Sequence, residues 1–359
     1  MVDSTIFTIT DEINKDYLIL EQYGASKMLV KRDFIFIADV KEKIFPILNE
    51  TINFIHNPVL VCDQIINLNG ESYRLIPENN LTSSLPKAAK LLGRGSQGSV
   101  YVVEKYSEPG IFFAMKFFRQ RAQGEYEAKT LDFLSNIPSI IKPITHGKIG
   151  MYHAILFNIY PESLIETKKK SISNSFHFLR VLLFSLNEIH EKGFIHGDIK
   201  PDNILLDEYG NPFLGDLGSS GPIGEKKMNF GTPSFRYPYT IDNRKSIDAD
   251  VWALGITMLY FISRKRPFID YGVRARFLKS QGRTFREKDI LQAVEEENIP
   301  NMVSWMLKIE IHNIDSLKLD EFLMLNIIEK IIIRMLEKDK ENRPSINELL
   351  NMMSIQKSE

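Results

Sequence analysis

Apolar residues run along this chain in several rhythms, and each change of rhythm marks a change of element. Near the amino terminus, alternation over 5–9, 17–21 and 34–38 predicts short strands, and 41–56 reads as an amphipathic helix. Runs over 58–67 and 72–76 predict a strand pair that turns at Asn69-Gly70, the dipeptide best suited to a tight hairpin. The polar stretch 78–86 reads as a linker. Beyond it, LLGRGSQGSVYVV over 91–103 predicts two strands joined by a glycine-rich turn, and IFFAMKFF over 111–118 a further strand. Over about 122–136 the period lengthens to that of a helix, with Glu127, Leu131 and Leu134 on one face. A strand at 152–157 runs into a connector reaching 166, and 174–192 reads as an apolar helix. DADVWALGITMLYFI over 248–262 is apolar all round, which places that helix inside a large core. Helices over 323–337 and 345–353 close the chain.

Composition narrows the picture. The 359 residues suffice for about two domains, and 43% hydrophobic with 25% charged residues is a globular balance. A net charge of −1 gives no polyelectrolyte attraction to nucleic acid or to anionic membranes. Cys62 is the one cysteine, so neither an internal disulfide nor a cysteine zinc site can form, as suits a reducing compartment. MVDSTIFTITDEINKDY does not resemble a signal peptide, and the greasy stretch 325–336 is broken by Glu329, Lys330 and Arg334, so no membrane span is expected. A protein of the cytoplasm is the expectation. Residues 274–288 carry Arg274, Arg276, Lys279, Arg283, Arg286 and Lys288, read either as a solvated face or as a docking surface for an acidic partner. Residues 1–85 carry no chemical signature and read as a packing extension, with a regulatory or docking module as the alternative.

Three places do carry chemistry. Gly93, Gly95, Gly98 and Val100 spell G-x-G-x-x-G-x-V, and the last glycine leads into Ser-Val-Tyr-Val-Val rather than a helix. A glycine-rich hairpin of this kind lets backbone N–H groups approach phosphates without side chains intervening. Lys116 stands in an apolar row beside Met115, Phe117 and Phe118, where a charge is costly unless paired. Glu127 is the expected partner rather than Glu125, because only Glu127 shares the leucine face. The third place is FIHGDIKPDNILLDEYGNPFLGDLG, in which Asp198 is followed by Lys200, Asn203 and Asp216. Asp250, at the start of the apolar helix, reads as a buried carboxylate in need of donors, with N–H groups near Asp198 as candidates.

Taken together, residues from about 87 to 353 resemble the eukaryotic-type serine/threonine protein kinase family. The resemblance lies in the glycine-rich loop, AMK, HGDIKPDN, DLG, GTP at 231–233, DVWALG and ENRP, in the family's order. It implies an α+β, bilobal fold with a β-rich small lobe over 86–158, a helical large lobe over 159–359, and ATP in the cleft, with 1–85 as a small α+β extension. It implies Mg²⁺ and ATP as cofactors and a protein serine or threonine as substrate. Asp198 would then accept the hydroxyl proton, Asn203 and Asp216 bind Mg²⁺, Lys200 neutralise the migrating phosphoryl group, and Lys116, held by Glu127, orient the phosphates. Leu92, Gly93, Gly95, Gly98, Val100, Ala114, Lys116 and Leu205 would line the nucleotide site, Phe157 its back. Lys200 and Thr232 match the serine/threonine pattern. A nucleotide-binding scaffold without catalysis is the alternative.

Three positions depart from the family. Gly197 replaces an arginine beside the proposed base, so no cation is there to clasp a phosphorylated activation loop, and activity without that phosphorylation is expected. Leu217 replaces a phenylalanine. Tyr237-Pro238-Tyr239 replaces A-P-E, whose glutamate would pair with Arg343. Abundant Ile, Lys and Asn suggest an AT-rich genome, and a bacterial source would imply an effector acting in the host cytosol.

Overall fold

Packing divides the chain into two units, Met1–Lys129 with Pro143–Ile159, and Thr130–Lys142 with Tyr160–Glu359. The computed structural model describes residues 7–14, 17–22, 28–31, 65–76, 91–95, 97–150, 152–167, 171–226, 231–238, 244–270, 273–310 and 317–354. The strand expected at 34–38, the helix at 41–56, the start of the strand expected at 58–67, and the linker expected at 78–86 lie outside the described residues.

In the first unit, β1 (Phe7–Asn14), β2 (Tyr17–Gln22) and β3 (Met28–Lys31) form an antiparallel three-stranded sheet. A seven-stranded antiparallel sheet follows, built from β4 (Ile65–Leu68), β5 (Glu71–Leu75), β6 (Leu91–Arg94), β7 (Gly98–Lys105), β8 (Phe112–Phe118), β9 (Pro143–Ile149) and β10 (Tyr152–Phe157). Its order is β4-β5-β7-β8-β10-β9, with β6 on β7. Asn69 and Gly70 both take positive φ, +50° and +86°, as the expected hairpin turn requires. Tyr73 pairs with Lys105, so β4 and β5 continue the sheet that carries the glycine-rich loop, upstream of the linker reading at 78–86. One face of the sheet buries Tyr73, Tyr101, Val103, Met115, Phe117 and Leu156. Only two residues separate the end of β8 from helix α1 (Arg121–Leu134). Gly124 permits this: a Cβ there would lie 2.6 Å from His153 Cβ and 2.9 Å from a Phe118 ring carbon.

The second unit is mostly helical. Small strand pairs are made by β11 (Glu162–Ser163), β12 (Phe194–Ile195), β13 (Ile204–Leu206), β14 (Pro212–Leu214) and β15 (Gly221–Pro222). The helices are α2 (Ile172–Glu191), α3 (Ile247–Ser263), α4 (Val273–Ser280), α5 (Ile290–Glu296), α6 (Ile299–Glu310), α7 (Leu319–Met335) and α8 (Ile346–Ser354). Ser171 caps α2 by accepting from the Asn174 N–H. The α2 face of Phe178, Leu179, Leu182, Leu186 and Ile189 is buried at helical spacing. Fourteen of the seventeen α3 residues are buried, as its all-apolar sequence requires. Gly255 lets α3 lie close to α7, since a Cβ there would be 3.0 Å from Leu336 and 3.1 Å from Met335. Among the described residues no helix is long and apolar enough to cross a membrane.

Candidate active site

In the first unit, sheet register places Val100 opposite Lys116, and Ala114 opposite Val102 and Phe157. Strand alternation therefore puts Val100, Ala114 and Lys116 on the face opposite the buried cluster. Both Glu127 oxygens accept from Lys116 Nζ, at 2.7 and 2.8 Å, and Glu127 is only 1% exposed. The short link between β8 and α1 brings the pair together because α1 begins at once and packs on Gly124. The ammonium also lies 4.8 Å from the Phe118 ring centroid.

The glycine-rich turn is closed by a Gly95 N–H bond to Gly98 O at 2.9 Å. A Cβ on Gly98 would lie 2.0 Å from Phe117 O, so only glycine fits between the two strands. Gly93 and Gly95 have nothing within 4 Å of a Cβ position, and Leu92 is exposed. The turn thus leaves open space beside Gly93 and Gly95, room for a phosphate to approach the loop closely.

In the second unit the carboxylate of Asp198 is engaged on both oxygens. Oδ1 accepts from the Thr232 N–H at 2.7 Å and from Thr232 Oγ1 at 2.8 Å. Oδ2 takes Lys200 Nζ at 3.0 Å and Asn203 Nδ2 at 3.1 Å. Lys200 also donates to Thr232 Oγ1 at 2.8 Å. Asn203 spends its N–H groups on Asp198, including the backbone oxygen at 2.8 Å, which leaves its Oδ1 to accept or to ligate. Asp216 takes φ +55°, a conformation costly for a residue with a Cβ and concentrated at functional sites. The Leu205 side chain lies beside Gly215, next to Asp216. Among the described residues no three His, Cys, Asp or Glu side chains cluster to hold a metal. The oxygen donors of Asp216 and Asn203 nonetheless suit Mg²⁺, which completes its octahedron with phosphate oxygens and water rather than an all-protein cage.

Asp250 holds the loop from beneath, as its position in the sequence implied. Oδ2 accepts from the His196 N–H at 2.8 Å and lies 2.9 Å from His190 Nε2, while Oδ1 accepts from the Gly197 N–H at 2.8 Å. Burial alone would raise its pKa, yet the His190 bond, the neighbouring imidazoles and the Gly197 N–H leave it below the usual carboxylate value. His196 is fully buried. Its Nε2 donates to Gly215 O at 3.0 Å and its Nδ1 accepts from the Asp198 N–H at 3.3 Å, so one imidazole joins the Asp198 loop to the Asp216 turn.

Gly197, the missing arginine, sits at φ +81°, where a Cβ would be 2.6 Å from Ser219 O. Gly231, at φ +77°, would bring a Cβ to 2.8 Å from Gly197 O. The two glycines pack backbone on backbone, and that approach delivers Thr232 to Asp198. Lys245, 1% exposed, donates to Ser220 O at 2.8 Å and to Glu225 at 2.5 Å, tying the segment after Asp216 to the chain ahead of α3.

Arg343 has an aromatic clamp where the family has a carboxylate. Its guanidinium lies 4.3 Å from the Tyr237 ring centroid and 5.4 Å from that of Trp252. It donates to Asp248 O at 2.9 Å and to Glu337 O at 2.5 Å, and Tyr237 Oη donates to Lys338 O at 2.7 Å. Burial pulls the Arg343 pKa below its ordinary value. Tyr239, which stands where that carboxylate would be, lies outside the described residues. Tyr237, Gly231 and Lys245 were not expected in these roles: each acts on a residue distant in sequence, which no local spacing reveals.

Comparison with known proteins agrees with this geometry. The family model of the protein kinase domain matches residues 87–354, and the chain belongs to that family. It is 28% identical over 303 residues to mitogen-activated protein kinase kinase kinase 1 of Arabidopsis thaliana, an overlap covering 77% of this chain and 43% of that protein. It is 32% identical over 151 residues to serine/threonine-protein kinase ppk34 of Schizosaccharomyces pombe, covering 40% of each. Over 218 residues it is 27% identical to the cAMP-dependent protein kinase catalytic subunit of Dictyostelium discoideum, covering 55% of this chain and 33% of that protein. The chain thus spans less than half the length of these relatives.

Proposed function

We propose that this chain transfers the γ-phosphoryl group of ATP to serine and threonine hydroxyls of proteins. The observation that carries this reading is the Asp198 carboxylate, fixed by Thr232 on one oxygen and sharing Lys200 and Asn203 on the other. Asp198 accepts the proton of the attacking hydroxyl. Lys200 is the partner that can leave: when its ammonium turns to a phosphate, a lone pair on Asp198 Oδ2 becomes available for that proton. Asn203 Oδ1 and Asp216 hold Mg²⁺, which when bound neutralises charge on the phosphates. Lys116, positioned by Glu127, orients the α- and β-phosphates, and the glycine-rich turn, without side chains at Gly93 and Gly95, leaves room for the remaining phosphate oxygens. Thr232, whose hydroxyl bridges Lys200 and Asp198, supports serine/threonine rather than tyrosine as acceptor.

The purified chain, incubated with radiolabelled ATP, Mg²⁺ and a mixed protein substrate, should yield labelled phosphoserine and phosphothreonine, lost on chelation of the metal. Nucleotide binding without transfer, under conditions where a control kinase labels the same substrate, would instead identify a non-catalytic scaffold.

A further inference from the structure

We propose that α4 and the turn after it form a docking surface for an acidic, extended segment of polypeptide carried by the protein that is phosphorylated. The proposal rests on the kinase reading and adds how a substrate is recruited away from the transferred group.

Residues 273–288 hold six Lys or Arg against Glu287, a net +5, so the rest of a chain totalling −1 carries −6. Within this stretch Arg274 is taken up internally. It lies 3.6 Å from Asp289 and 3.8 Å from Glu296, with its guanidinium 5.6 Å from the Phe277 ring centroid. The remaining five, Arg276, Lys279, Arg283, Arg286 and Lys288, are exposed, and among the described residues none has an ion-pair partner.

The patch is built on a defined backbone. Leu278 is 1% exposed and anchors α4 from beneath. The helix ends with Gly282 at φ +64°, its N–H bonded to Lys279 O and that of Arg283 to Leu278 O, a paired arrangement that fixes the chain just past a helix end. Arg286 N–H then caps onto Asp289 Oδ2 at 2.9 Å. Arg276 and Lys279, three residues apart on α4, therefore share one face of the helix, about 5 Å apart along its axis at 1.5 Å per residue, and the fixed turn carries Arg283 just past its end. An extended peptide presents side chains on one face at intervals of about 6.6 Å, so carboxylates on alternate residues meet successive cations. Phe277, half exposed on the adjoining face of α4, offers a place beside them for one apolar side chain.

Two other polyanions fit less well. An anionic bilayer or an RNA spreads its charge over an area wider than the patch and so also meets the −6 carried by the remainder of the chain, whereas a short acidic segment meets the patch alone. The eight-residue helix exposes only Val273 and Phe277 as apolar contacts, too little to enter a membrane interface or to stack successive bases.

The test uses the full chain and a fluorescein-labelled peptide of Asp and Glu residues around a central Leu, followed by anisotropy. Binding should weaken steeply with salt, since screening shortens from about 8 Å at 0.15 M to about 3 Å at 1 M. An Asn/Gln version of the peptide should not bind. The Arg276→Glu/Arg283→Glu variant should lose about tenfold or more in affinity, and Lys279→Glu/Arg286→Glu, made separately, should do the same. Fusing the acidic peptide to a phosphoacceptor should lower its KM, while both variants phosphorylate the unfused acceptor at the wild-type rate. Equal binding by wild type and variants, or tighter binding of phosphatidylserine vesicles or of oligouridylate than of the peptide, overturns the proposal. If the unfused acceptor is phosphorylated and the fusion brings no gain, docking fails and the kinase reading stands. If the peptide binds but no acceptor is ever phosphorylated, the kinase reading fails and the surface stands.

Discussion

Asp250→Asn removes a charge without changing shape, and the cost can be worked from the contacts it breaks. The carboxylate takes three donors: the N–H groups of His196 and Gly197, and His190 Nε2. An amide oxygen in the place of Oδ2 keeps His196 and His190 as neutral bonds, but its NH₂ then faces the Gly197 N–H. Each bond that loses its charge is weaker by about 1 kcal/mol, and stranding a buried N–H costs about 1–3 kcal/mol. After relief of the desolvation of a carboxylate that is 1% exposed, a net loss of about 3 kcal/mol is expected. At about 2–4 °C per kcal/mol for a unit of this size, Tm should fall by roughly 6–12 °C. Transfer should suffer more than stability implies, because His196 and Gly197 adjoin Asp198, and a misplacement near 1 Å can cost about 10²-fold in rate. The pH dependence has a definite sign. With a folded-state pKa below its ordinary value of 3.8, Asp250 contributes stability that is present above the unfolded value and lost as pH falls through the folded one. The Tm gap between wild type and Asp250→Asn should therefore be widest near neutrality and narrow only in strong acid. Calorimetry across that range, with initial rates at neutral pH, checks both parts. A variant with wild-type Tm and rate would refute the reasoning.

Other substitutions separate the remaining supports. Tyr237→Phe keeps the ring over Arg343 and loses the hydroxyl's bond to Lys338 O, about 1 kcal/mol. Tyr237→Ala empties the clamp and should cost about 3–5 kcal/mol with a raised peptide KM; equal urea midpoints for the two would deny the ring any role. Glu127→Gln leaves the Lys116 ammonium without its carboxylate, a change expected to cost about 3–5 kcal/mol as for other broken buried pairs and to weaken nucleotide binding; unchanged ATP affinity by calorimetric titration would contradict this. Gly197→Ala puts a Cβ into Ser219 O at a positive φ, costing about 1–2 kcal/mol in backbone strain alone, and should lower kcat without changing ATP KM. A fully active Gly197→Ala would show that the backbone approach to Gly231 is dispensable.

How much of this was legible in the sequence depended on the range of the interaction. Glu127 could be chosen because Leu131 and Leu134 mark the buried face of its own helix, and both are buried. Asp250 could be assigned donors because a carboxylate opening an apolar helix has few ways to be satisfied. The hairpin at Asn69-Gly70 followed from turn chemistry. By contrast, Tyr73 pairing with Lys105 crosses thirty-odd residues, and nothing in 65–75 indicated which sheet it would join. The departure at 237–239 is visible in the sequence, but the pattern marks Tyr239, where the missing carboxylate would be. The ring that holds Arg343 belongs to Tyr237, and a cation–π contact over such a separation leaves no periodic trace. Gly197 read as an absent arginine; only the backbone shows that its missing Cβ makes room for Ser219 and Gly231.

Asp198→Ala provides the most direct measurement, with phosphoryl transfer and Mg-ATP affinity determined on the same preparation. Transfer to a serine acceptor should fall by about 10²-fold or more, the usual worth of a positioned proton acceptor, while nucleotide affinity stays at the wild-type level. A variant that phosphorylates the acceptor at the wild-type rate would contradict the role given to the carboxylate on which the reading of this site depends.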